Sequence, residues 1–162
     1  MMMQDKHKIP ITILICDEDA EDRRRTQQTL EDAHVVNDLR FVEDGEQLLD
    51  YLQRRGAYVG ETGAAPRPGL ILVAFDGPPA NGRAVLERIK RDTAIADIPL
   101  AILTAPRLES GGSDRLENDR LENIRLGVRA FIAKPLTFPG LIEAMNGLGH
   151  YWLEFCESTP AA

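Results

Sequence analysis

The residues of this 162-residue chain that could do chemistry gather at the ends of apolar runs. Asp17, Glu18 and Asp19 follow the first run, Asp76 follows a second, Thr104 ends a third and Lys134 follows a fourth. Clustered carboxylates suit a hard divalent cation such as Mg2+, and a hydroxyl and an ammonium on neighbouring strand ends can hold the oxygens of a phosphoryl group. The set points to a phosphoryl-handling site. His7, His34 and His150 are scattered and make neither a ligand set nor a triad. Cys16 and Cys156 lack metal-like spacing and read as two reduced thiols.

The runs themselves supply the elements that must position these groups. Residues 11–16 are a continuous β-branched apolar stretch, too short for a helix and too apolar for a half-exposed strand, so they read as a buried parallel strand. The acids at 17–19 then start a helix reaching about 33, where carboxylates complement the helix dipole. Leu30 and Ala33 mark its inward side, and Arg23, Arg24 and Arg25 read as a solvated face. A short strand at 39–42 precedes a helix at 45–55 with a Leu48, Leu49, Leu52 stripe, ended by Gly56. The Gly- and Pro-bearing stretch 57–69 is a loop, and 70–74 is the central strand.

Asn81-Gly82 precedes a helix at 83–91 with Val85, Leu86 and Ile89 inward, and 98–104 is the next strand. After the loop at 106–113, the sequence of 114–118 is repeated at 119–123, a local duplication in a surface helix that ends at Gly127. Residues 130–133 form the fifth strand. The last helix covers 138–155 with Thr137 as N-cap. Its Leu141, Met145, Leu148, Trp152 and Phe155 make an apolar seam, and the Leu148, Trp152, Phe155 end projects far enough to join two subunits.

Five strands alternating with five helices specify a doubly wound α/β fold, a five-stranded parallel sheet whose ligands belong at the carboxyl ends of the strands. We expect one domain over 11–157, between a polar leader at 1–10 and a tail at 158–162. With 43% apolar and 28% charged residues the chain matches folded rather than disordered proteins. A formal net charge of -7 disfavours nucleic acid and anionic lipid as partners. No run approaches the about 20 apolar residues that span a bilayer, and no signal-peptide centre precedes the first strand, so a cytoplasmic location is expected.

At this point the chain resembles the receiver domains of bacterial two-component response regulators, a flavodoxin-like fold. The match rests on Ile-Leu-Ile-Cys-Asp-Glu-Asp at 13–19, Leu-Ile-Leu-Val-Ala-Phe-Asp-Gly-Pro at 70–78, Asn-Gly-Arg at 81–83, Leu-Thr-Ala at 103–105 and Lys-Pro at 134–135. The stretch 54–58 and the ending Tyr151-Trp152-Leu153-Glu154 look like the single-domain subgroup that serves phytochrome-type histidine kinases. The resemblance implies an acidic pair at Asp17 and Glu18, a switch hydroxyl at Thr104, an aromatic switch at Phe131 and a phosphoryl-binding lysine at Lys134. It also implies a histidine kinase or another two-component protein as partner, and no enzymatic activity. Ala74 falls where the family has its phosphoacceptor aspartate, and a methyl group neither attacks a phosphohistidine nor ligates Mg2+. Glu18 replaces the usual aspartate, so an implied Mg2+ site is shifted as well as weakened.

Two origins account for Ala74: an engineered exchange in a competent regulator, or natural loss in a degenerate receiver. Glu18, Gly69, Gly77, Pro79-Ala80 and 106–113 depart from the pattern together, which favours loss. Asp76 becomes a metal ligand or substitute acceptor only if the backbone beyond Val73 shifts; its simpler role is to cap the turn before Pro78. Without phosphorylation, Thr104 simply ends a strand, Phe131 is core, and Lys134 makes a permanent ion pair with Asp17 and Glu18. A haloacid-dehalogenase-like phosphatase built on Asp17-x-Asp19, Thr104 and Lys134 is a weaker reading, since Ala20-Glu21 does not continue that motif and no later acidic pair completes its metal site. A third reading is a dimerising adaptor whose output ignores phosphorylation.

Overall fold

The structure, a computed structural model, describes residues 11–60, 65–74, 79–104 and 125–148. Its elements are β1 (Thr12–Asp17), α1 (Ala20–Asp32), β2 (Asp38–Val42), α2 (Gly45–Gln53), β3 (Pro68–Ala74), α3 (Pro79–Arg91), β4 (Leu100–Thr104), β5 (Val128–Ala133) and α4 (Phe138–Leu148). The strands form one parallel sheet in the order β2-β1-β3-β4-β5. This is the flavodoxin-like doubly wound architecture, in which every parallel pair needs a crossover and the helices cover both faces.

The core divides at the sheet, as strict alternation along a doubly covered strand requires. Ile13 and Ile15 of β1 pack with Leu30 of α1 and with Leu141 and Met145 of α4. Leu14 and Cys16 face the other way, toward Leu48 and Leu52 of α2 and Leu86 and Ile89 of α3. Full burial of each such aliphatic side chain contributes about 2 kcal/mol. The α2 stripe is buried as expected and is joined by Tyr51, while α1 buries Thr26 with Leu30 and leaves Ala33 half-buried at its C-cap.

Several boundaries move from their expected places. Helix α3 begins at Pro79, so Asn81 and Gly82 lie inside it rather than ahead of it. Proline is at home in a first helical turn, where its missing N–H has no intrahelical partner to lose. Strand β3 extends back to Pro68, and a Cβ on Gly69 would lie 2.6 Å from the Ile11 side chain, a close approach that requires glycine there. Helix α2 stops at Gln53, with Arg54 rather than Gly56 as its left-handed cap at φ 56°.

The duplicated stretch 114–123 lies outside the described residues, so four of the five expected helices are placed. Gly127, where that helix should end, has φ 97°, the left-handed conformation that closes helices. Thr137 caps α4 as expected, its Oγ1 accepting from Gly140 N at 3.1 Å. Leu148 closes the described part of α4, and Trp152 and Phe155 lie outside it. Among the described residues no helix is long and apolar enough to cross a membrane.

Candidate functional site at the carboxyl edge of the sheet

The site starts from Asp17, the last residue of β1, fully buried. Leaving the strand there forces the chain to turn before α1, and the turn is held by carboxylates. Asp17 Oδ1 accepts from Asp19 N at 3.0 Å, and Asp19 Oδ1 in turn caps α1 by accepting from Glu21 N at 2.8 Å and Asp22 N at 3.2 Å. Asp19 is thereby committed to the helix. It is not free to act as the general acid a phosphatase of this pattern needs.

That cap fixes where the first turn of α1 points. Asp22 Oδ2 accepts from Lys134 Nζ at 2.8 Å, and Lys134 Nζ also lies 2.9 Å from Asp17 Oδ2. The second contact is a buried ion pair, in which the ammonium of Lys134 is the partner of Asp17 Oδ2. Arg23 adds a second cation: its Nη1 donates to the main-chain oxygen of Asp17 at 2.7 Å, and its Nη2 lies 3.8 Å from Glu43.

Lys134 is held protonated to a higher pH than an ordinary lysine. Burial acts against its charge, but the hydrogen bonds and charges of Asp22 and Asp17 outweigh it. Cys16, one residue before Asp17, is pushed up to about 12 by burial and then by the nearby carboxylates of Asp44, Asp17 and Glu18. It is a buried free thiol with no tendency to become a nucleophile.

The other expected residues fall into place unequally. Ala74 is paired in register with Asp17 across β1 and β3 and is 2% exposed, so the position implied for the acceptor is a buried methyl at the middle of the edge. Thr104 ends β4 opposite Ala133, its hydroxyl 3.5 Å from Ile132 O, and its own carbonyl accepts from Lys134 N at 2.8 Å. Phe131 is half-buried against the α2–α3 side of the core and also borders a groove of about 470 Å³ between β5 and α4, beside Lys134 and Thr137. Asp76 lies outside the described residues.

Glu18 does not make the ion pair with Lys134 expected of it. It is exposed, and the second carboxylate on Lys134 belongs to Asp22. The physical reason is the turn itself. After a buried Asp17, the next side chain points outward, while the cap at Asp19 brings the third residue beyond it back over the sheet edge. The spacing from Asp19 to Asp22 was the available signal for this.

Among the described residues, an Mg2+ ion at this edge would find the carboxylate oxygens of Asp17 and Asp22, both already on the Lys134 ammonium. It would find no side-chain oxygen at Ala74, and it would have to displace the Lys134 ammonium from Asp17. Among the described residues no three His, Cys, Asp or Glu side chains are grouped to hold a metal. The described residues therefore fit the ammonium, not a divalent cation, at the expected place.

No family model matches this chain. It is similar to the bacteriophytochrome response regulator RtBRR, at 30% identity over 94% of this chain and 86% of that one, with a TM-score of 0.72. It is similar to response regulator Rcp1 of Synechocystis sp. (strain ATCC 27184 / PCC 6803 / Kazusa), 28% identical over 152 residues that cover 94% of this chain and 95% of Rcp1. The Mn(2+)-bound form of Rcp1 superposes with a TM-score of 0.62, covering 94% of this chain and all (100%) of that one at 28% identity.

Proposed function

This chain belongs to the receiver family of phytochrome-associated response regulators of two-component signalling, and from that premise we propose that it is an atypical member, taking no phosphoryl group at the usual place and acting through protein–protein contacts. The observation that carries the reading is the register of Ala74 against Asp17. In a phosphotransfer to a receiver, a carboxylate oxygen forms the new P–O bond while the donor's bond to phosphorus breaks. The methyl of Ala74 has no lone pair to form that bond.

Lys134 supports the same reading. A lysine that waits for phosphoryl oxygens must be available to them, and this one is already shared between Asp17 and Asp22. Thr104 and Phe131 keep their family positions, so on this reading the switch framework persists while its trigger is gone. Rcp1 is described in a Mn2+-bound form; here Mg2+ binding is weakened, since Ala74 offers no ligand and Glu18 faces solvent.

The partner is a histidine kinase or another two-component protein in the cytoplasm, and the chain is one domain over 11–157 that pairs with a second copy through the seam ending in Leu148, Trp152 and Phe155. The alternative, a competent regulator with an engineered exchange at 74, differs in one respect: Ala74→Asp would return full phosphotransfer. The test is incubation of the full chain with acetyl phosphate and MgCl2, read by intact mass and peptide mapping. No modified peptide is expected. A phosphorylated peptide containing Asp76 overturns the reading.

A further inference from the structure

We propose that Lys134, assisted by Arg23, is the resident cation of the carboxyl edge, so that the protein holds its folded signalling conformation without divalent metal, and that a metal site opens at Asp17 only when the charge of Lys134 is removed. This extends the reading of Ala74 as a lost acceptor. It rests on it only in that an aspartate at 74 would compete for the same ammonium.

Three observations carry the inference. First, one ammonium serves two carboxylates that come from different elements, Asp17 at 2.9 Å from the end of β1 and Asp22 at 2.8 Å from α1. The side chain of Asp17 is 1% exposed and that of Lys134 13%, so the pair is largely shielded from bulk water. Second, the main-chain oxygen of Asp17 accepts from the Arg23 guanidinium at 2.7 Å. The carboxylate and the carbonyl of the same residue thus each meet a cationic side chain. Third, Asp17 Oδ2 is buried and, apart from the Lys134 ammonium at 2.9 Å, has no partner among the described residues, so it is left unpaired once the ammonium leaves.

A divalent ion entering the intact site must displace a lysine paired to two carboxylates, and Ala74 offers it no side-chain oxygen in return. Removing the lysine charge reverses that balance. Asp17 becomes a buried, uncompensated carboxylate with Asp22 beside the vacated ammonium position, and a divalent ion relieves both charges at once.

The experiment is a Mn2+ titration of the full chain, read by electron paramagnetic resonance of the free ion, with thermal melts in parallel. The proteins are wild type, Lys134→Met and Lys134→Arg. Wild type and Lys134→Arg are expected to show no saturable binding and no rise in Tm, whereas Lys134→Met binds Mn2+ at least about tenfold more tightly than wild type and gains Tm with metal. Saturable binding by wild type, or a folded Lys134→Met that gains none, overturns the proposal; so does a Lys134→Arg that binds as tightly as Lys134→Met. If Lys134→Met does not fold, wild type decides alone, a metal-independent Tm without saturable binding sustaining the proposal and a metal-raised Tm sinking it. None of these readouts involves phosphoryl transfer. A phosphopeptide containing Asp76 would overturn the acceptor reading and leave these titrations unchanged.

Discussion

Lys134 and Asp17 face each other at 2.9 Å although they leave strands that are not neighbours. The sheet order puts β3 and β4 between β1 and β5, and β3 ends in Ala74. A carboxylate at that intervening strand end would be the nearer claim on the ammonium. The methyl of Ala74 makes no claim, and the lysine is left to Asp17 and Asp22.

Loss of the Lys134 charge is therefore expected to be costly to the fold. Lys134→Ala leaves Asp17 buried and unpaired, and we expect a loss of about 3 kcal/mol in urea denaturation at neutral pH and low metal. Asp22→Asn should lose less, about 1 kcal/mol, because Asp22 is partly solvated at 29% side-chain exposure and Lys134 keeps Asp17. Equal losses for the two variants would contradict the assignment of Asp17 as the buried partner.

The alkaline limb of the stability curve follows from three raised groups. Lys134 titrates above its ordinary 10.5 in the folded protein, so its contribution is complete below that value and is lost as pH rises through the folded one. Cys16 moves from 9.0 to about 12 and Tyr51 from 10.0 to about 12, in both cases chiefly by burial, so the folded state excludes charges that the unfolded chain accepts. Stability should fall progressively between pH 9.0 and about 12, and Cys16→Val should flatten the first part of that fall. An unchanged slope in Cys16→Val, measured by urea midpoints across this window, would show that the thiol is not buried in solution.

Ala74→Asp restores an oxygen but not the rest of an acceptor site. It places a carboxylate at a 2% exposed position in register with Asp17. We expect a loss of about 2 kcal/mol without metal, partly recovered by MgCl2, since the new acid both repels Asp17 and draws Lys134 away from it. Denaturation with and without MgCl2 checks this. A variant more stable than the parent in the absence of metal would contradict it.

The apolar seam yields a prediction about assembly. Trp152→Glu should shift the protein toward monomer in sedimentation velocity while leaving the far-ultraviolet circular dichroism unchanged, because the residue is proposed to face a second copy. A monomeric parent chain, or a dimer that tolerates the charge, would remove that interface.

Much of the architecture was legible because parallel strands covered on both faces become continuous apolar runs, as at 13–16 and 70–74, and because helices α2 and α4 carry clear stripes. Chain order alone therefore placed Asp17, Ala74, Thr104 and Lys134 at one edge of a sheet. The starts of β3 and α3 were harder to place, since prolines at 68 and 79 read as breaks when they are in fact first residues.

Sequence by itself determined which strand ends share the edge and that Ala74 brings no nucleophile to it, since residue identity and the period of the strands are local properties. Only the tertiary structure decided that Asp22, rather than Glu18, shares Lys134 with Asp17. That choice depends on how the Asp19 cap orients the first turn of α1 over a sheet edge whose lysine arrives from a strand 112 residues further along the chain than Asp22. Through-space pairing of this kind is set by packing, and nothing in the local spelling of 17–19 distinguishes the exposed acid from the buried one.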